Sequence, residues 1–174
     1  MYKRQREWSY CLIETKGNFY INVGIRNGRI FVQPIFSIQM KKEDVEMLRN
    51  LREEIGVGEV KVGKNAVFLV RGIKNLEKFL EKMNENNFMT SKKRDFLLWK
   101  EAVNLFIEYK HLTEEGFMRI CEIRDRMNLK KKRKNYKEKE FFEEMIRRMN
   151  IKFENEEKRK KISSSLRMTY GMRV

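Results

Sequence analysis

Apolar residues occupy every second position from Phe19 through Ile21, Val23 and Ile25, and the alternation resumes after Asn27-Gly28. A period of two places successive side chains on opposite faces of a strand. Two strands, Phe19–Arg26 and Ile30–Met40, are therefore predicted, joined at Asn27-Gly28, the strongest short hairpin signal. Phe19, Ile21, Val23 and Ile25 share one face with Val32, Pro34, Phe36, Ile38 and Met40. The opposite face carries Asn18, Tyr20, Asn22, Gly24 and Arg26, with Phe31, Gln33, Ile35, Ser37 and Gln39. An antiparallel sheet with one wet face produces the same alternation without any ligand. Phe31 and Ile35 interrupt the polar set and count toward that plainer reading.

Ahead of the first strand, Ser9–Thr15 reads as a short helix ended by Lys16-Gly17, so the helix delivers its last residue directly onto the sheet. Beyond the hairpin the period becomes helical. Lys42–Ile55 carries Val45, Leu48, Leu51 and Ile55 on one stripe, and Gly56-Val-Gly58 stops it. Val60, Val62, Val67 and Leu69 form a second hairpin around Gly63-Lys-Asn65. A helix from about Asn75 to Asn84 turns Leu76, Phe79, Leu80 and Met83 inward. The next, from Lys92 to Tyr109, uses Phe96, Leu97, Trp99, Val103 and Phe106. Thr113 is a good N-cap for a helix running to about Asn128. The order α-β-β-α-β-β-α-α-α describes an α+β domain over residues 1–129. Residues 130–174 form a basic extension, partly helical where Phe141, Met145, Ile146 and Met149 recur. Lys158-Arg-Lys-Lys-Ile-Ser-Ser-Ser165 reads as a loop into a short last helix.

Charge narrows the class. Forty Lys and Arg against 25 Asp and Glu give +15 and a pI near 9.9, a balance suited to a polyanionic partner. A solvated lysine-rich surface gives the same number. The extension holds 16 Lys and Arg against 7 Asp and Glu, so +9 of the total lies there. Its run Lys130-Lys-Lys-Arg-Lys134 suits phosphate gripping, a solubilising linker or a targeting signal. No apolar run approaches the roughly 20 residues that span a bilayer, and Met1-Tyr-Lys-Arg-Gln-Arg-Glu lacks the apolar core of a signal peptide. No membrane partner is expected. Cys11 and Cys121 are far apart without metal-ligand spacing and read as buried thiols in a reducing compartment. His111, the sole histidine, begins a turn before a helix and reads as structural.

Trp8-Ser-Tyr-Cys-Leu-Ile-Glu-Thr-Lys-Gly-Asn-Phe-Tyr-Ile21 resembles the signature of the LAGLIDADG homing endonucleases, in which a helix ends in an acid, a glycine and the first DNA-binding strand. Four later stretches resemble landmarks of the same family in order. They are Gly56-Val-Gly58, Thr90-Ser-Lys-Lys-Arg-Asp-Phe-Leu-Leu-Trp-Lys-Glu-Ala102, His111-Leu-Thr-Glu-Glu-Gly116 and Cys121-Glu-Ile-Arg-Asp-Arg-Met-Asn128. The resemblance implies an α-β-β-α-β-β-α-α core whose antiparallel four-stranded sheet reads the major groove. With one motif, it implies a homodimer on a pseudo-palindromic double-stranded DNA site. The motif helices would pack through Ser9, Tyr10, Leu12 and Ile13, although family members usually keep small residues where Tyr10 and Cys11 stand. The implied cofactor is Mg²⁺. The implied compartment is intracellular: a mitochondrion, a chloroplast or prokaryotic cytoplasm.

Residue by residue, the resemblance assigns base-edge contact to Asn18, Tyr20, Asn22, Arg26, Gln33, Ser37 and Gln39, with Arg suited to guanine and Asn or Gln to adenine. Lys61, Lys64 and Arg71 extend the footprint or bind phosphates. Aligned on Gly17 and Phe19, Glu14 takes the first acidic position, structural in the family, and Lys16 takes the second, which binds the metal. An ammonium cannot coordinate Mg²⁺ and repels it. Ser37 stands where many relatives keep a glutamine that orders the catalytic water, and Lys92 matches a basic residue near the active site. The expectation is sequence-specific DNA binding without cleavage. Two alternatives stay open: an active homing endonuclease holding its metal through Glu14, and a maturase-like protein acting on structured intron RNA. Backbone electrostatics serve either nucleic acid.

Overall fold

The computed structural model describes residues 2–127, 137–149 and 151–153 together with Lys161 and Ser164, and side chains from Trp8 onward. The basic run Lys130–Lys134 and most of the segment 158–165 lie outside the described residues.

Helix α1 spans Tyr2–Lys16 and passes without a loop into strand β1, Gly17–Arg26. It starts well before Ser9, because the polar residues ahead of Trp8 carry no apolar signal but include no helix breaker either. Strand β2, Arg29–Lys41, pairs antiparallel with β1 from Gly17 opposite Ile38 to Arg26 opposite Arg29. Asn27 (φ 52°) and Gly28 (φ 69°) close the hairpin with the two left-handed residues that such a turn demands. Strands β3, Glu59–Val62, and β4, Asn65–Val70, complete a sheet of order β1-β2-β4-β3. β4 pairs with β2 only from Phe36 to Lys41. Pro34, which has no N–H to donate, sits on the stretch of β2 that β4 does not reach.

A 3-10 turn at Lys42–Asp44 leads into α2, Val45–Ile55. Then come α3 (Ile73–Lys82), α4 (Lys92–Ile107) and α5 (Glu114–Arg126). The order through α5 matches the expected one. Thr113 caps α5 as expected, its Oγ1 accepting from the Gly116 N–H at 3.1 Å. Helix α6, Lys139–Met149, packs Phe142 and Ile146 into the same core as α5.

The helices cover one face of the sheet over an aromatic centre. Phe19 of β1 lies 4.9 Å from Phe36 and 5.1 Å from Trp99, and Phe36 stacks on Phe79 at 4.8 Å. Each such pair contributes about 0.5–1.5 kcal/mol beyond area burial, so the sheet is fixed rigidly to α3 and α4.

Three expectations require correction. Leu97 is 40% exposed while Leu98 and Trp99 are buried. α4 packs on the sheet and also on α5, so its buried stripe is turned by one residue from the single-face pattern. Phe141 is exposed, with the Lys137 ammonium 4.5 Å from its ring centroid, while Phe142 meets Phe117 edge-on. Cys11 is exposed, because none of the described residues covers its side of α1. Cys121 is the buried thiol, and desolvation pushes it up to about 12.

Candidate nucleic-acid interface

The ladder register sorts the open face of the sheet into rows. Asn18 stands across from Ser37, then Leu69 and Glu59; Tyr20 faces Ile35; Asn22 faces Gln33; Gly24 faces Phe31; Arg26 faces Arg29. At the other end Gln39, Val67 and Lys61 form a row. Asn18, Asn22, Arg26, Gln39, Lys61, Lys64 and Arg71 are exposed, and Tyr20, Gln33 and Ser37 are half-buried. The structure thus brings the strand residues onto one continuous surface. Ile35 lies on that surface by register yet is only 5% exposed. Lys61 and Arg71 do not wait free: both pair with Glu59, at 3.4 and 2.8 Å. Exposed pairs of this kind contribute at most about 1 kcal/mol, so a phosphate can displace the carboxylate.

The junction of α1 with β1 is held at three points. Gly17 is the first. A Cβ there would lie 2.3 Å from the Ile13 carbonyl oxygen and 2.9 Å from the Phe36 ring, so only glycine lets the helix end touch the sheet. Second, the Lys92 ammonium, at the start of α4, donates to the Gly17 carbonyl at 2.6 Å. Third, Glu14 Oε1 accepts from the N–H groups of Met89 and Thr90, at 2.8 and 2.9 Å, and from the Thr90 hydroxyl at 3.0 Å. The Thr90 hydroxyl in turn accepts from the Lys92 N–H. Desolvation alone would raise the Glu14 carboxyl, but these donors and the nearby Lys92 charge hold it below the usual carboxylate range.

Lys16 is exposed at the end of α1 and lines an open depression of about 760 Å³ with Gln39, Lys41, Glu43, Asp44 and Asn65 among others. The second-strand amide beside Lys16 is therefore Gln39. Ser37 pairs with Asn18 farther along the same face and does not line the depression. The end of α1 itself supplies no ligand for the implied Mg²⁺, and the carboxylates lining the depression are Glu43 and Asp44. The helix ends in an ammonium, and Glu14 is committed to the loop before α4 and faces away by two residues. Among the described residues no three His, Cys, Asp or Glu side chains come together as a metal site.

The helix residues expected at a two-fold interface are mostly turned inward. The Ser9 hydroxyl donates to Glu54 at 2.9 Å, the Tyr10 hydroxyl accepts from the Asn84 N–H at 2.7 Å, Ile13 is fully buried and Leu12 is 9% exposed. At 100° per residue, the side of α1 opposite these contacts carries Cys11 and Thr15, with Trp8 half-buried beside them. Of that face, the resemblance singles out Cys11 as a position where the family keeps small residues. No helix among the described residues is long and apolar enough to cross a membrane.

Residues 11–103, more than half of the chain, match the LAGLIDADG endonuclease family. A probable intron-encoded endonuclease of Neurospora crassa is 30% identical over 134 residues, covering 72% of this chain and 25% of the relative. The chain thus spans about a quarter of that relative's length. An archaeal intron-encoded homing endonuclease complexed with DNA superposes with a TM-score of 0.76 at 23% identity, over 87% of this chain and all of that one. The homing endonuclease I-GzeII in complex with its DNA target gives 0.65 at 26% identity, over 71% of this chain and 45% of that one.

Proposed function

The chain belongs to the LAGLIDADG endonuclease family, and from that premise we propose that it binds double-stranded DNA sequence-specifically as a homodimer without cutting it. The observation that carries the reading is the open sheet face, where Asn18, Asn22, Gln33, Gln39 and Arg26 stand in rows beside a helix end bearing Lys16. Amides and guanidinium groups on a ribbon of this shape suit base edges in the major groove. Lys61, Lys64 and Arg71 supply the phosphate contacts that set orientation. Matching the whole of one DNA-bound structure and under half of another supports one protomer as one half of a DNA-reading unit.

Silence in cleavage follows from the donor set at the end of α1. Hydrolysis in this family relies on Mg²⁺, and Lys16 occupies its seat. Gln39, beside Lys16, is placed for the role of the family's second-strand glutamine, so loss of the acid is the decisive change. The Cys11–Thr15 side of α1 is the surface for the partner protomer. The intron-encoded relative of Neurospora crassa supports a reading frame within an intron.

The test is selection from a random duplex library, followed by challenge of a supercoiled plasmid carrying the selected site with Mg²⁺ or Mn²⁺. An enriched pseudo-palindrome, binding that weakens by about a thousandfold from low to physiological salt, and an intact plasmid are expected. Linear product refutes the silencing while leaving the DNA reading in place. Preference for structured RNA over every duplex refutes the DNA reading.

A further inference from the structure

Phe31 breaks the polar face, and its setting shows more than tolerance of a stray aromatic. It is 41% exposed and stands directly across from Gly24. A Cβ on Gly24 would lie 2.3 and 2.7 Å from two carbons of the Phe31 ring, so the ring rests on the bare backbone of β1. The Arg26 guanidinium approaches the same ring at 6.0 Å from its centroid. Successive rows on this face are two residues apart, about 6.8 Å. That is close to two base-pair steps of 3.4 Å. Along the hairpin the ring sits between the Asn22–Gln33 row and the Arg26–Arg29 row. A seated, partly exposed ring among hydrogen-bonding groups has one apolar feature to meet in the major groove, the C5 methyl of thymine.

We propose that Phe31, seated on Gly24 beside Arg26, is a specificity-determining residue that reads a thymine methyl about two base-pair steps from a guanine contacted by Arg26. The inference rests on the DNA-binding reading and deepens it. A ring that merely fills the glycine slot would stabilise the hairpin and leave base preference unchanged.

The experiment replaces each thymine of the library-selected duplex with deoxyuridine, which removes only the methyl, and measures affinity by fluorescence anisotropy. For the unaltered protein, one position in each half-site loses about fourfold, the effect of uncovering one buried methyl. In Phe31→Ala that position becomes insensitive to the methyl, while selectivity at the positions facing Asn22 and Gln33 persists. No methyl effect in the unaltered protein, or the same effect in Phe31→Ala, overturns the assignment. The first arm needs no variant, so a misfolded Phe31→Ala leaves it decisive. A library that enriches no duplex overturns the DNA reading and this inference together, whereas an enriched site without a methyl effect removes only Phe31.

Discussion

Removing the Glu14 carboxylate is expected to destabilise the fold rather than to abolish a metal site. Its Oε1 accepts three hydrogen bonds that tie the last turn of α1 to the loop ahead of α4. In a buried setting, bonds to a charged acceptor each contribute about 1.5–3 kcal/mol. These are solvent-exposed, and water can take over the freed N–H groups of Met89 and Thr90. A discounted figure of about 0.7 kcal/mol per bond gives about 2 kcal/mol for Glu14→Ala, or a melting temperature lower by about 6 °C for a chain of this size.

The pH dependence gives the claim its second edge. Because the folded carboxyl is held below its usual range, the unfolded chain takes up the proton first as pH falls. The stabilisation is therefore fully present above the ordinary carboxylate value of about 4.3. It is lost as pH drops through the lower folded value. Melts followed by circular dichroism should show the gap between the unaltered protein and Glu14→Ala at pH 7 and its closure in acid. A variant that melts within about a degree of the unaltered protein at pH 7 refutes the structural role. So does stabilisation by excess Mg²⁺ that disappears with Glu14, since a ligand that binds only the folded state must raise its stability.

Gly17→Ala should cost more than about 3 kcal/mol, because the new Cβ would meet the Ile13 backbone oxygen at 2.3 Å and neither element can yield alone. A denaturation midpoint corresponding to under about 1 kcal/mol of loss would show that the junction is soft. His111 gives a second titration of the same sign: burial pushes its imidazole down to about 4, against about 6.5 when unfolded. Here too the unfolded chain binds the proton first, so stability is complete above pH 6.5 and falls by about 2 kcal/mol by pH 5. His111→Leu should flatten that stretch of the profile, and an unchanged slope would assign it to other groups.

The strand pair was legible to within two residues at each end, because alternation and Asn27-Gly28 fix the same register from two independent directions. The long-range ties were not. Nothing in the spacing of Glu14, Thr90 and Lys92 announces that they meet, since their contacts cross more than 70 positions of chain and depend on where α4 docks. The buried stripe of α4 shows the same limit. A single-face pattern admits Leu97, and only the second contact, with α5, turns it out in favour of Leu98. Which side of α1 the protomer itself covers was illegible for a related reason. Ser9 and Tyr10 find polar partners on Glu54 and Asn84, so polar residues lie inward, while Cys11, the residue most suited to burial, is exposed.

The three ties at the end of α1 also explain why an acid can be exchanged for Lys16 without disturbing the fold. Gly17 fits by close approach, Glu14 holds the loop before α4, and Lys92 grips the Gly17 carbonyl. None of these needs a metal, and none uses the side chain at position 16, which is exposed at the rim of an open depression. The same joint sets the angle of the sheet against the helix, which the proposed DNA reading requires. Replacing a carboxylate by an ammonium there exchanges a ligand that must recruit a cation for a fixed cation. On the proposed homodimer this would bring two positive charges toward the strands, so DNA affinity should not depend on divalent ions.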